Sequence, residues 1–320
     1  MSDVIIGADL GGTKIRSALF DVRGHLLARK SLPTMASRGP EVVLERIVAC
    51  LREMVAAARG RAILGIGLGA PGPLNPWTGV ISTPPNLPGW HDVPLRDLLA
   101  QEFHLPVYVG NDANLAALGE HRFGAGKGVD DLIYITISTG IGGGIISGGR
   151  LFLGADGAAG EVGHQTLDIN GPRDRCGNVG CLEALAAGPA IARQANEAIA
   201  RGEATAIATL AQAENRPISA EHVERAARQG DRLARQILEH AGENIGVGVV
   251  NLLHLFNPRL VIIGGGVANA GELLLEPIRR TVQERAMEVF RRNVRIVPAA
   301  LGDDTGLYGA VALVLSELGR

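Results

Sequence analysis

The sequence predicts a two-lobed α/β protein built on a duplicated unit, and three observations carry that expectation. Its 320 residues exceed what one ordinary core serves and suit two domains of roughly 150 residues each. Strand, glycine-turn and helix patterns alternate along the chain. The pattern that opens it, a strand, a Gly-Gly turn and a return strand, recurs from Asp131.

VIIGADL, Gly11-Gly12, KIRSALFD, a turn at Arg23-Gly24 and HLLARKSL read as three adjacent antiparallel strands. Residues 41–59 carry apolar side chains at helical spacing, 63–68 read as a buried strand, 95–103 as a helix, and 107–109 as another buried strand before a helix from Ala113. In the second half DLIYITIS is a strand, TGIGGG a glycine turn and IISGGRLFL the return strand. Helical segments follow, with a long one over 231–256, then the strand RLVIIGGG, a helix, the strand VRIVPA and a last helix over 305–318. The last helix is assigned to the first lobe, giving lobes of 1–121 plus 305–320 and 122–304. With no low-complexity linker between them, the expected joint is a hinge within 119–128.

Apolar residues at 46% and charged residues at 20% fit a packed globular protein and exclude disorder. Lys plus Arg at 31 against Asp plus Glu at 33 provides no basic field for nucleic acid or an anionic membrane, so phosphate binding must be local, through loops. The opening MSDVIIGADLGGTK lacks a basic and then apolar leader pattern, and no apolar run reaches membrane-spanning length; the expectation is a cytoplasmic protein. Cys50 falls in a helical pattern, whereas Cys176 and Cys181 share a Gly-rich loop and read as half a metal site.

Four motifs carry chemistry. In Asp9-Leu10-Gly11-Gly12-Thr13-Lys14 two glycines at a strand-to-strand turn let N–H groups approach phosphate oxygens, Thr13 adds a hydroxyl, and Asp9 could hold Mg2+ through water. Alone, the motif also reads as a plain Gly-Gly hairpin. Ser138-Thr139-Gly140-Ile141-Gly142-Gly143-Gly144 repeats the device, and two such turns could clamp the β- and γ-phosphates. Gly264-Gly265-Gly266 ends an apolar strand, which suits either a flat ligand such as adenine or close helix packing. Asn111-Asp112-Ala113-Asn114 stands where a strand ends and a helix begins, as a helix cap or as a carboxylate placed to accept a hydroxyl proton.

Over nearly the whole chain and in order, DLGGTK, GAPGPLNPWTGVISTPPNLPGW, NDAN, STGIGGG, EVGH and CGNVGCLE resemble the ROK family of repressors and sugar kinases, and within it the bacterial glucokinases. The resemblance implies an actin-like two-domain fold of the hexokinase and Hsp70 type, with a duplicated ribonuclease-H-like core. It further implies phosphoryl transfer from ATP, with Mg2+ carried by the nucleotide, to the 6-hydroxyl of a hexose such as glucose, and a homodimer or homotetramer. By the same resemblance Asp112 is the base, and Asn86, Asn111, Asp112, Glu161, His164 and Glu183 are sugar contacts; carboxylates and amides suit a ring of hydroxyls that both donate and accept. Nucleotide contacts are Asp9, Gly11, Gly12, Thr13, Lys14, Thr139, Gly140, Gly142, Gly265 and Gly266. The family's structural zinc is held by one His and three Cys; the matching positions are His164, Asp174, Cys176 and Cys181, with a carboxylate at the first Cys position. His164 could serve metal and sugar through its two nitrogens. The alternatives are another hexose or an N-acetylhexosamine, polyphosphate as donor, a non-catalytic sugar-binding member, or a repressor. Repressors carry a DNA-binding module ahead of the phosphate loop, which here starts at Asp9, and Asp9, Gly11, Gly12 and Asp112 speak for catalysis.

Overall fold

The apolar run Val4–Leu10 is buried along almost its whole length, as a strand inside a sheet must be, and as β1 it forms the middle of a five-stranded sheet in the computed structural model, which describes residues 3–320. β2 (Lys14–Asp21) and β3 (Leu26–Pro33) return beside it antiparallel. On its other side β4 (Ile63–Ala70) adds in parallel. Three two-residue strands, β5 (Leu74–Asn75), β6 (Val80–Ile81) and β7 (Val93–Pro94), form a small sheet of their own before β8 (Val107–Asn111) completes the order β3-β2-β1-β4-β8.

Parallel neighbours need crossovers, and helices supply them. α1 (Pro40–Ala57) starts on a proline whose fixed φ suits the first helical position, and it buries Val43, Ile47, Cys50, Leu51 and Met54 in the core under β1. The same core holds Trp90, ahead of α2 (Leu95–Phe103); α3 (Asp112–Phe123) follows β8 directly.

From Asp131 the design repeats: β9 (Leu132–Ile137), β10 (Ile141–Ser147) and β11 (Arg150–Leu151) are followed much later by β12 (Leu260–Gly264) and β13 (Arg295–Pro298). Their order, β11-β10-β9-β12-β13, reproduces the first sheet strand for strand. One expectation is corrected. Gly142, Gly143 and Gly144 lie inside β10, and only Ser138 to Gly140 form the turn. Packing explains a glycine there, since a Cβ on Gly144 would come within 2.6 Å of the Ala117 Cβ.

Between β11 and β13 run α4 (Leu182–Ala186), α5 (Gly188–Ala200), α6 (Ala206–Ala213), α7 (Ala220–Arg228), α8 (Arg232–Phe256), α9 (Glu272–Arg285) and α10 (Glu288–Arg291). Asp231 caps α8, accepting from the Ala234 N–H at 2.9 Å, the Ala206 N–H at 2.6 Å and the Thr205 hydroxyl at 2.9 Å. The last helix, α11 (Thr305–Glu317), buries Leu307, Val311, Val314 and Leu315 with Ile5 and Phe20 of the first sheet. The chain thus forms two compact units. The first runs to Asp130 and adds Gly144–Gly160 and Ala300–Arg320; the second is Asp131–Gly143 with Glu161–Ala299. Among the described residues no helix is long and apolar enough to cross a membrane.

Candidate active site

The β1–β2 turn is held from behind. Gly11 N–H donates to the Lys14 carbonyl at 3.0 Å, while buried Thr34 donates its hydroxyl to the Gly11 carbonyl at 2.6 Å and its N–H to the Thr13 carbonyl at 2.8 Å. These bonds take up the carbonyls of Gly11, Thr13 and Lys14. Its front lines a 770 Å³ cleft with Asp9, Gly11, Gly12, Thr13 and Lys14. Asn86 sits against the same turn, since a Cβ on Gly12 would come within 3.1 Å of the Asn86 Cβ.

The cleft also holds Arg16, which the motif reading missed. Its guanidinium lies 2.5 Å (Nη2) and 3.2 Å (Nε) from Asp9 Oδ2, and Nη1 donates to the Asp303 carbonyl. The signal was the hairpin register, which sets Asp9 opposite Arg16 so that both side chains share one face.

At the start of α3 the two roles proposed for the NDAN segment separate. Asn111 is the cap, accepting from the Ala113 N–H at 3.0 Å and the Asn114 N–H at 3.3 Å. Asp112 stands exposed in the first turn, with its Oδ1 2.8 Å from the Ala113 N–H, where the helix dipole favours a negative charge.

In the second unit Ser138 N–H donates to the Gly140 carbonyl at 2.8 Å, and Gly188 N–H, at the head of α5, donates to the Ser138 carbonyl at 2.8 Å. The Ile141 N–H donates to Glu183 Oε2 at 2.7 Å, and a Cβ on Gly140 would meet that oxygen at 2.4 Å. Beside this turn a 580 Å³ cleft is lined by Thr139, Gly188, Arg216, Glu224, Gly266 and Asn269 among others. Gly265 does not line it. With φ at +86° it packs on the end of β9, where a Cβ would meet the Ile137 carbonyl at 2.4 Å, so close packing accounts for this glycine. Arg216, Glu224 and Asn269 belong to no motif, and nothing in the sequence pointed to them.

Glu161 and His164 flank a single 3₁₀ turn, Val162–His164. His164 Nε2 lies 3.9 Å from Glu161 Oε2, and Nδ1 lies 3.0 Å from Asp174 Oδ2. The Cys176 thiol donates to the same carboxylate oxygen at 3.0 Å and lies 3.7 Å from the Cys181 sulfur. One donor atom from each of His164, Asp174, Cys176 and Cys181 falls within 4.8 Å of the others. Burial pushes the Asp174 carboxyl up, but bonds from the Cys176 thiol and the Arg175 N–H outweigh it and hold the group below its usual range. Burial, then the hydrogen bonds with Cys176 and Asp174, push the Cys181 thiol up to about 12. Two thiols, an imidazole and a carboxylate converging in this way fit a tetrahedral zinc by donor type.

A model of the ROK family matches residues 5–317. The glucokinase of Thermotoga maritima is 38% identical over 315 residues, 98% of each chain. A ROK family glucokinase from Streptomyces griseus, solved in complex with glucose and AMPPNP, matches with a TM-score of 0.82 at 38% identity over 97% of this chain and 98% of that one. The xylose repressor of Caldicellulosiruptor bescii is 36% identical over 98% of this chain and 78% of its own length. The repeated five-stranded sheets are those of the actin-like ATPase fold, and with a family model spanning the sequence almost end to end, the chain belongs to the ROK family.

Proposed function

We propose that the protein is a glucokinase, transferring the γ-phosphoryl group of ATP to the 6-hydroxyl of glucose with Asp112 as general base. One observation carries the reading. Asp112 is exposed at the C-terminal end of parallel strand β8, in the unit that also holds the charged phosphate turn, while the helix cap is supplied by Asn111. The glucokinases among its relatives support the same substrate and donor.

In this reading Asp112 takes the 6-hydroxyl proton as that oxygen bonds to the γ-phosphorus and the bond to the β,γ-bridging oxygen breaks, releasing ADP. With the Gly11 N–H closing the hairpin onto the Lys14 carbonyl, the N–H groups of Gly12 and Thr13 and the Lys14 ammonium receive phosphate oxygens beside the bare Gly11 backbone, and Thr139 and Gly140 offer the same device in the second unit. Asp9 would hold the nucleotide's Mg2+, which when bound neutralises charge on the β- and γ-oxygens. The 580 Å³ cleft beside Gly266 takes adenine and ribose. Asn86, Asn111, Glu161, His164 and Glu183 address the sugar hydroxyls. His164, Asp174, Cys176 and Cys181 would hold a structural zinc, tying the 3₁₀ turn that carries Glu161 and His164 to the head of α4, which carries Glu183.

A coupled assay against a hexose panel, with ATP or polyphosphate as donor, tests the assignment. Glucose with ATP should give the highest kcat/KM; a higher value for an N-acetylhexosamine moves the substrate, and sugar binding without turnover places the chain with the repressors. In the same assay Asp112→Asn should lower kcat by about 10²- to 10⁴-fold while retaining glucose binding. A variant keeping more than half of the wild-type kcat would remove Asp112 from the role of base.

A further inference from the structure

Glu120 lies on α3, eight positions after Asp112, and its side chain is fully buried at 0% exposure. Its partners are backbone donors. Oε1 accepts from the Ala300 and Leu301 N–H groups at 2.9 Å each, and Oε2 accepts from the Ala125 N–H at 2.8 Å. Ala125 lies five residues before the backbone first leaves the first unit, after Asp130, and Ala300 is the residue on which it returns for the last time. One carboxylate therefore ties the segment leading to the first of the four crossing points, and the last crossing point itself, to the helix that begins with Asp112.

The connection continues to the phosphate turn. From Leu301 the chain enters α11, whose Gly306 lies over Asp9; a Cβ there would come within 3.1 Å of the Asp9 Cγ. α3 and α11 touch backbone to backbone, since a Cβ on Gly309 would meet the Leu115 carbonyl at 2.0 Å and one on Gly119 the Thr305 carbonyl at 2.9 Å. An unbroken path of contacts thus runs from Asp112 along α3 to Glu120, on to Leu301, and through the head of α11 to Asp9, all within the first unit.

We propose that Glu120 is a positioning residue for phosphoryl transfer, locking α3 against the head of α11 so that Asp112 and Asp9 address the same phosphoryl group. The inference rests on the assignment of Asp112 as base. The side-chain type fits the task, because all three partners are donors and only a carboxylate offers acceptors at both oxygens; a glutamine would turn its NH₂ toward an N–H. Misplacement of reacting groups by about 1 Å can cost roughly 10²-fold in rate while leaving binding contacts in place.

Two variants test this. Glu120→Gln removes one acceptor at constant size. Gly124→Ala leaves the carboxylate intact but displaces it, since the added Cβ would lie 2.1 Å from Oε2. In protein shown to be folded by circular dichroism and melting, each should lose about tenfold or more in kcat, with calorimetric Kd values for glucose and for Mg2+·AMPPNP within threefold of wild type. A kcat within twofold of wild type in either folded variant overturns the proposal, as does a loss of binding that accounts for the loss of rate. If Glu120→Gln does not fold, Gly124→Ala decides. Asp112→Asn, assayed alongside, keeps the two claims apart: if it stays active the base assignment fails, and if it is inactive while both Glu120→Gln and Gly124→Ala remain active, only the positioning role fails.

Discussion

The two glycine turns occupy the same place in the same strand order yet differ in where they carry charge. The first carries charge, with Asp9, Lys14 and Arg16 in its cleft, and is braced by the uncharged, buried Thr34. The second carries no charged side chain of its own, from Ser138 to Gly144, and is braced by a carboxylate, Glu183, bonded to the Ile141 N–H. Charge thus sits in front of one turn and behind the other. In the proposed kinase the first turn would handle metal and phosphate charge. The second would offer backbone donors whose orientation depends on a residue that also faces the sugar.

The largest expected effect tests the charged turn. Asp9→Asn should lower kcat/KM for Mg2+·ATP by about 10²-fold, the order of a lost metal-bound charge interaction, whereas Thr139→Ala should cost tenfold or less. Steady-state kinetics that reversed this ranking would break the comparison. Next comes Gly140→Ala, whose Cβ would press on Glu183 Oε2 at 2.4 Å. Because in the proposed kinase that carboxylate would serve both turn and sugar, KM for ATP and for glucose should rise together, each by about tenfold or 1.4 kcal/mol; a rise confined to ATP would separate the second turn from the sugar contacts.

A smaller effect is expected at the metal loop. Removing zinc should raise KM for glucose more than KM for ATP, and Asp174→Cys should hold zinc against a chelator longer at unchanged activity, because thiolate is the softer ligand. Metal analysis that found no zinc in protein prepared without chelator, with normal glucose affinity, would end that reading. The smallest lies outside both turns. Asp231→Ala should cost about 1 kcal/mol of stability through the lost α8 cap, with kinetics unchanged. Burial pushes the Asp231 carboxyl up, but bonds from Ala234, Ala206 and Thr205 outweigh it and its pKa is lowered. Its contribution is therefore complete above the ordinary carboxylate value and fades as pH falls through the lower, folded value, so melting curves of wild type and variant should converge in acid.

Where local pattern and tertiary demand agree, the sequence was readable. β1, β2 and α2 occupy the expected residues because an apolar strand run, a Gly-Gly turn and a helical apolar stripe each have one good solution. The TGIGGG segment misled, since glycines favour turns locally, and the α3 packing that calls for Gly144 inside a strand is a tertiary contact with no local mark. Site residues with a motif were named; those recruited by packing were not. Arg16 was accessible through register arithmetic. Arg216 and Glu224 come from a segment without motif, and Glu120 is one of 33 acidic residues whose burial leaves no mark in the sequence around it. Asp174 was identified as a donor through the family resemblance, because an Asp in a Gly-rich loop is otherwise unremarked.

Trp90 offers an optical use for this asymmetry of burial. The chain has two tryptophans. Trp77 is 51% exposed, whereas Trp90 is 1% exposed, close behind Asn86 in the chain, and its indole N–H is without a hydrogen-bond partner among the described residues. An indole in such dry surroundings emits toward the blue, and iodide in the solvent reaches the other one first. Trp77→Phe would leave a single fluorophore in the segment that carries Asn86. In the proposed kinase, a stopped-flow trace of its emission would then time the arrival of the sugar at Asn86 separately from the chemistry that follows.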